Sequence, residues 1–145
     1  MANLSELVQA WQRGAILPPP VAQTLGFKLT AVQHGHATIE FEATERFANP
    51  MGTLHGGVLC DIADAAMGLA YASTLGEGET FTTLELKINF LRPVRKATLR
   101  AMAEIVSSGR TIGLARCHVK DENDRLVAHA TATLMTLRGE QAQGS

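Results

Sequence analysis

From residue 58 to about residue 74 the chain runs Val, Leu, Cys, Ile, Met, Leu and Tyr interleaved with Ala, and at helical spacing this stretch has no polar face. Its only charged residues are Asp61 and Asp64. A helix that is apolar around its whole circumference has to be enclosed by other structure. A bilayer does not supply the enclosure, because each central Asp would cost about 2.5–3.5 kcal/mol to insert. The enclosure has to come from the chain itself.

The remaining apolar runs have the two-residue period of strands. Residues 36–43 alternate Ala37, Ile39, Phe41 and Ala43 with His36, Thr38, Glu40 and Glu42. Residues 83–91 put Leu84, Leu86, Ile88 and Phe90 on one face and end at Arg92-Pro93. Three further alternating runs, 97–106, 111–120 and 126–137, are joined by the turn-forming residues 107–110 and 121–124, which predicts an antiparallel meander. Upstream, Leu4, Leu7, Val8 and Trp11 form an amphipathic helix over residues 3–11, with Asn3 as N-cap and Gly14 as stop, placed as an outer lid. Pro18, Pro19 and Pro20 then predict an extended piece. The fold class expected is α+β: one long helix wrapped by a curved antiparallel sheet.

At 145 residues the chain is sized for a single domain over 1–145, with an N-terminal helical segment 1–24 and a polar tail 139–145 that is expected to fray. Apolar residues make up 46% and charged residues 19%, enough core and too little charge for disorder. Thirteen Lys and Arg balance fourteen Asp and Glu, so the positive field that nucleic-acid binding relies on is missing. Cys60 and Cys117 each sit in an apolar run, as reduced thiols of a cytoplasmic protein do. The first residues, MANLSELVQAW, lack a signal-peptide pattern, so a soluble, unprocessed protein is expected, with no membrane partner.

Asp61 and Asp64 lie on one helical face, and residues 47–86 contain no Lys or Arg. A carboxylate without a local cation in apolar surroundings has a raised pKa, which suits a general base or nucleophile near neutral pH. The alternative is one solvated Asp and one bonded to backbone. His55-Gly56-Gly57 directly precedes the helix, where unpartnered N–H groups and the positive end of the helix dipole would stabilise an oxyanion. The same tripeptide also reads as an ordinary loop-to-helix entry. Metal-ligand spacings such as HxxxH, HExxH and CxxC are missing, as are a GxSxG elbow and the glycine-rich phosphate loops, so neither metal nor cofactor is expected. Lys87, Arg92, Arg95, Lys96 and Arg100 fall in an acid-free run, followed by Arg110 in a turn. They suit a phosphorylated ligand, or else form a solvated strand face.

Asn49, His55-Gly56-Gly57, Asp64 within LCDIADAAMG, the FLRP at 90–93 and Ser108-Gly109-Arg110-Thr111 together resemble the PaaI-like group of hotdog-fold acyl-CoA thioesterases, over about residues 20–137. The resemblance implies a hotdog fold assembled into homodimers and often into tetramers, dimers of dimers. It implies Asp64 as the catalytic acid, Asn49 in the active-site loop, the Gly56 N–H polarising the thioester carbonyl, and His55 holding the loop. It also implies Thr83 as the hydroxyl that positions water, although strand alternation sets Thr83 opposite the Leu84 face and makes Thr82 a competitor. Asn49 and the His55 loop of one chain would face Asp64 of another. Gly57, Arg92, Pro93, Ser108, Gly109 and Arg110 would contact the CoA of the substrate, which is carrier rather than cofactor. Asp64 would act as general base on water or attack directly to form an anhydride. The acyl pocket is expected from Met51, Leu54, Met67, Tyr71 and the N-terminal segment. A non-catalytic acyl-CoA binding module is the rival reading, and it would lack the acid. A hotdog dehydratase would need a different His and acid arrangement.

Overall fold

The computed structural model describes residues 3–143. Helix α1 (Leu4–Gln12) starts as expected at Asn3, whose Oδ1 accepts from the Ser5 and Glu6 N–H groups at 2.9 and 3.4 Å. The triple proline does not stay extended. Pro20 opens a short helix, α2 (Pro20–Leu25), because a proline at the first helical position gives up a hydrogen bond that no residue there makes. Gly26 ends α2 at φ +84°.

Among the described residues six strands form one antiparallel sheet: β1 (Lys28–Gln33), β2 (His36–Ala43), β3 (Glu79–Phe90), β4 (Ala97–Ser108), β5 (Ile112–Lys120) and β6 (Leu126–Arg138). Their order across the sheet is β1-β2-β4-β5-β6-β3, so the expected meander occupies the centre and β3 crosses to the far edge. β1 gave no alternation signal because a register shift between Leu29 and Ala31 breaks its period. The tail expected to fray instead forms α4 (Glu140–Gln143), which buries Ala142; residues 1–2 and 144–145 lie outside the described residues.

The long helix α3 (Gly56–Ala72) lies in the concave face of this sheet, packed on β2, β4 and β5. Ile62, Met67 and Tyr71 meet Ile39, Phe41, Leu99, Val119 and Leu134 in one continuous core. The Tyr71 hydroxyl shares a 2.6 Å hydrogen bond with Thr136, which makes its burial tolerable. The enclosure is incomplete: Gly57, Asp61 and Asp64 remain exposed along one stripe. No described helix is long and apolar enough to cross a membrane.

Candidate active site

The loop before α3 is tied down by Asn49. Its Oδ1 accepts from the Met51 and Thr53 N–H groups at 3.0 and 3.1 Å, and its Nδ2 donates to Thr53 Oγ1 at 2.9 Å. The His55 N–H reaches back to the Phe47 carbonyl at 3.0 Å, and the Leu54 N–H to that of Val94 at 2.7 Å. The helix therefore begins two residues earlier than its apolar pattern suggested, with His55 as N-cap: Nδ1 accepts the Gly57 N–H at 2.9 Å. That contact occupies Gly57 and leaves the Gly56 N–H without a partner among the described residues. A Cβ at position 56 would stand 2.9 Å from Phe90 Cζ, so glycine is what lets the aromatic ring close over the helix start. Asn49, Gly56, Phe90, Arg92 and Pro93 line a common cavity of about 470 Å³.

Asp64 sits two turns further along α3. Thr83 Oγ1 donates to its Oδ1 at 3.2 Å. A bulge in β3 decides this contact: the β3–β6 register slips between Thr83 and Glu85. Thr83 thereby pairs with buried Leu134 and joins Leu86, Ile88 and Phe90 on the helix side, while Leu84 is left 53% exposed. Simple alternation had put Leu84 on that side and Thr83 opposite. Thr82, paired with Met135, is on the other face. Asp64 keeps open surface, yet the protein packed around it pushes its pKa above the ordinary value, partly offset by the Thr83 hydrogen bond and reinforced by the charge of Asp61. Asp61 makes no hydrogen bond or ion pair among the described residues.

Eight residues separate Gly56 from Asp64, which at the helical rise is about 12 Å. One chain therefore does not bring the free N–H and the carboxylate onto one small reacting group. Ser108, which ends β4, and Gly109 and Arg110 of the β4–β5 turn are beside Tyr71 and Thr74 at the other end of α3, around a cavity of about 450 Å³. The basic run is dispersed as well: Arg100 pairs with Asp124 at 3.1 Å, and Arg95 donates to the Gly52 carbonyl at 3.3 Å. Arg92, Lys96 and Arg110 have unpartnered side chains among the described residues, and only Arg92 lines the Gly56 cavity. Met67 and Tyr71, expected at the acyl pocket, are instead in the core; Met51 is exposed. The walls beside Asp64 come from Gly68, Leu69 and Phe81 with α1, and the i, i+4 spacing of Asp64 and Gly68 was the available signal.

Residues 51–128, more than half of the chain, match the thioesterase superfamily. The chain belongs to that superfamily. It is 28% identical over 112 residues to a 1,4-dihydroxy-2-naphthoyl-CoA hydrolase of Listeria monocytogenes, covering 77% of this chain and 91% of that protein. Over 131 residues it is 28% identical to the medium/long-chain acyl-CoA thioesterase YigI of Escherichia coli K12, with 80% and 84% of the two chains covered. A phenylacetic acid degradation-related protein of Ralstonia eutropha JMP134 superposes with a TM-score of 0.81 at 33% identity, over 92% of this chain and 99% of that one. The architecture is the hotdog fold, and the protein is a thioester hydrolase.

Proposed function

We propose that this thioester hydrolase cleaves acyl-CoA at a site shared by two copies of the chain. The separation along α3 carries the reading: a Gly56 N–H at the helix start with no partner among the described residues and the Asp64–Thr83 pair about 12 Å away are complementary halves. Two antiparallel copies of α3 would bring the helix start of one onto the carboxylate of the other. The open stripe bearing Asp61 and Asp64, and the exposed Leu84, Phe90 and Leu91 at the β3 edge, support a second copy as the cover. A homodimer, or a dimer of dimers, would meet that need.

In this reading the thioester carbonyl accepts from the Gly56 N–H at the positive end of the helix, which stabilises charge as it develops on oxygen. Asn49 and His55 hold that loop in shape. Asp64 takes a proton from a water anchored beside Thr83; the hydroxide adds to the carbonyl carbon, and the tetrahedral intermediate expels the CoA thiolate, which is then protonated. Water is the only co-reactant. Arg92 and Pro93 beside Gly56 would receive the pantetheine and phosphates of CoA, and Ser108, Gly109 and Arg110 would contribute from the opposite end of a second chain. A binding module without catalysis would not need an acid paired with a hydroxyl. Two unpaired cysteines, with the buried Cys117 thiol pushed up to about 12, fit a reducing cytoplasm.

The test mixes two inactive variants, Asp64→Asn and Gly56→Val, after unfolding and refolding together. A shared site restores about a quarter of parental activity at equal mixing, because half of the chains enter mixed dimers in which one of the two sites is intact. Mixtures as inactive as their components would overturn the shared site.

A further inference from the structure

Among the described residues lining a cavity of about 240 Å³, Asp64 is the one charged side chain and Thr83 the one hydroxyl; the rest are apolar or aromatic. One wall is α3, from Asp64 through Gly68 to Ala72, about 12 Å at the helical rise. Leu4, Val8 and Trp11 of α1 and Phe81 of β3 also line it. We propose that this cavity is the acyl pocket, that α1 sets its length through Trp11, and that it selects an uncharged apolar acyl group of medium size. The proposal rests on the hydrolase reading of Asp64 and adds its substrate class.

Three features support the assignment. The α1 lining is built rather than incidental: Val8 is buried, Ser5 Oγ donates to the Ser73 carbonyl at 3.1 Å, Gln12 Nε2 to that of Thr30 at 3.4 Å, and the Trp11 and Phe27 rings lie 6.4 Å apart. Its size is limited. An apolar cavity of about 150 Å³ accommodates benzene, so on that scale 240 Å³ takes roughly nine or ten carbons. Its chemistry excludes charge, because no Lys or Arg lines it and an acyl carboxylate would face Asp64 unpaired.

Two residues set the limits. A Cβ on Gly68 would stand 3.1 Å from Phe81 Cζ, so a larger side chain there narrows the pocket one turn beyond the acid. Trp11 also lines a second apolar groove of about 320 Å³ that continues along Leu7, Ile16 and the 82% exposed Leu17. The two share Leu4, Val8, Trp11, Pro19 and Leu69, of which Trp11 is the largest side chain.

The experiment compares kcat/KM of the parent, Gly68→Val and Trp11→Ala on straight-chain CoA esters from two to sixteen carbons, on phenylacetyl-CoA and on succinyl-CoA. The parent should peak at octanoyl to decanoyl or at phenylacetyl, either of which supports an apolar pocket of this size, and should disfavour succinyl against butyryl at least tenfold. Gly68→Val should lower the decanoyl-to-acetyl ratio tenfold or more, and Trp11→Ala should raise the palmitoyl-to-decanoyl ratio by a similar factor. A parental optimum at acetyl or succinyl, or ratios that neither variant moves, would overturn the pocket while leaving the hydrolase reading intact. A parent inactive on every CoA ester would instead remove the reading on which the proposal stands.

Discussion

The start of α3 and its middle, the two half-sites of the proposed reading, are built in opposite ways. At the start, backbone matters: His55 caps the helix, Asn49 braces the loop, and the group left over is the Gly56 N–H. In the middle, side chains matter: Asp64 projects from the helix toward Thr83 on a bulged edge strand, and both line a largely apolar cavity. The first half is suited to accept negative charge and the second to remove a proton. One helix carries both without letting them meet in a single chain, so in the proposed reading assembly rather than folding completes the chemistry.

The largest expected effect separates the halves by chemistry. Asp64→Asn should cut kcat on acyl-CoA by about 10²–10⁴, the range of a positioned base, while Asp61→Asn keeps most of it. Folding should not suffer. Because the folded Asp64 pKa is raised, the ionised form costs stability as pH climbs through the unfolded value, and at pH 7 the amide is relieved of that cost. A thermal midpoint at or above the parent's, with activity lost, is the expected pair of results; an active Asp64→Asn would dissolve the comparison.

A smaller effect tests the bulge. Thr83→Val removes a hydrogen bond that favours the ionised form of Asp64, so the acid limb of kcat/KM should move to higher pH while kcat falls several-fold. Thr83→Ser should restore the profile and Thr82→Val should leave it in place, because Thr82 is on the other face. An unmoved acid limb in Thr83→Val would mean that the hydrogen bond does not tune the base.

The smallest effect concerns binding alone. Arg92→Ala and Arg110→Ala should each raise KM for CoA esters several-fold with kcat nearly constant, and the penalty should shrink as salt rises. On an acyl-pantetheine ester without the nucleotide both variants should match the parent. The two arginines line different cavities, so the penalties should add in the double variant. If CoA and pantetheine esters respond alike, neither arginine holds the nucleotide end.

Much of the fold was legible because periodicity reports burial. The all-round apolar helix, the β2 alternation and the β4–β6 meander each announce which faces must leave water, and all of them appear in the structure. Signals failed where a local irregularity breaks the period. The shift at Leu29/Ala31 hid β1, and a proline at the first helical position made α2 look extended. The same cause obscured Thr83: one extra residue in β3 reverses every side chain beyond it, and alternation carries no mark of where that residue is inserted.

By itself, then, the sequence determined the residue types and their order: a buried helix with two acids, a glycine-rich entry, and strands enough to wrap it. Those follow from hydrophobicity and local propensity, which act over a few residues. Tertiary structure alone decided that Thr83 rather than Thr82 meets Asp64, that Arg92 and Arg110 line separate cavities, and that Trp11, far away in sequence, lines the same cavity as the acid. Such pairings depend on strand register and on packing between distant segments, where a shift of one residue moves a side chain to the opposite face while leaving composition and spacing unchanged.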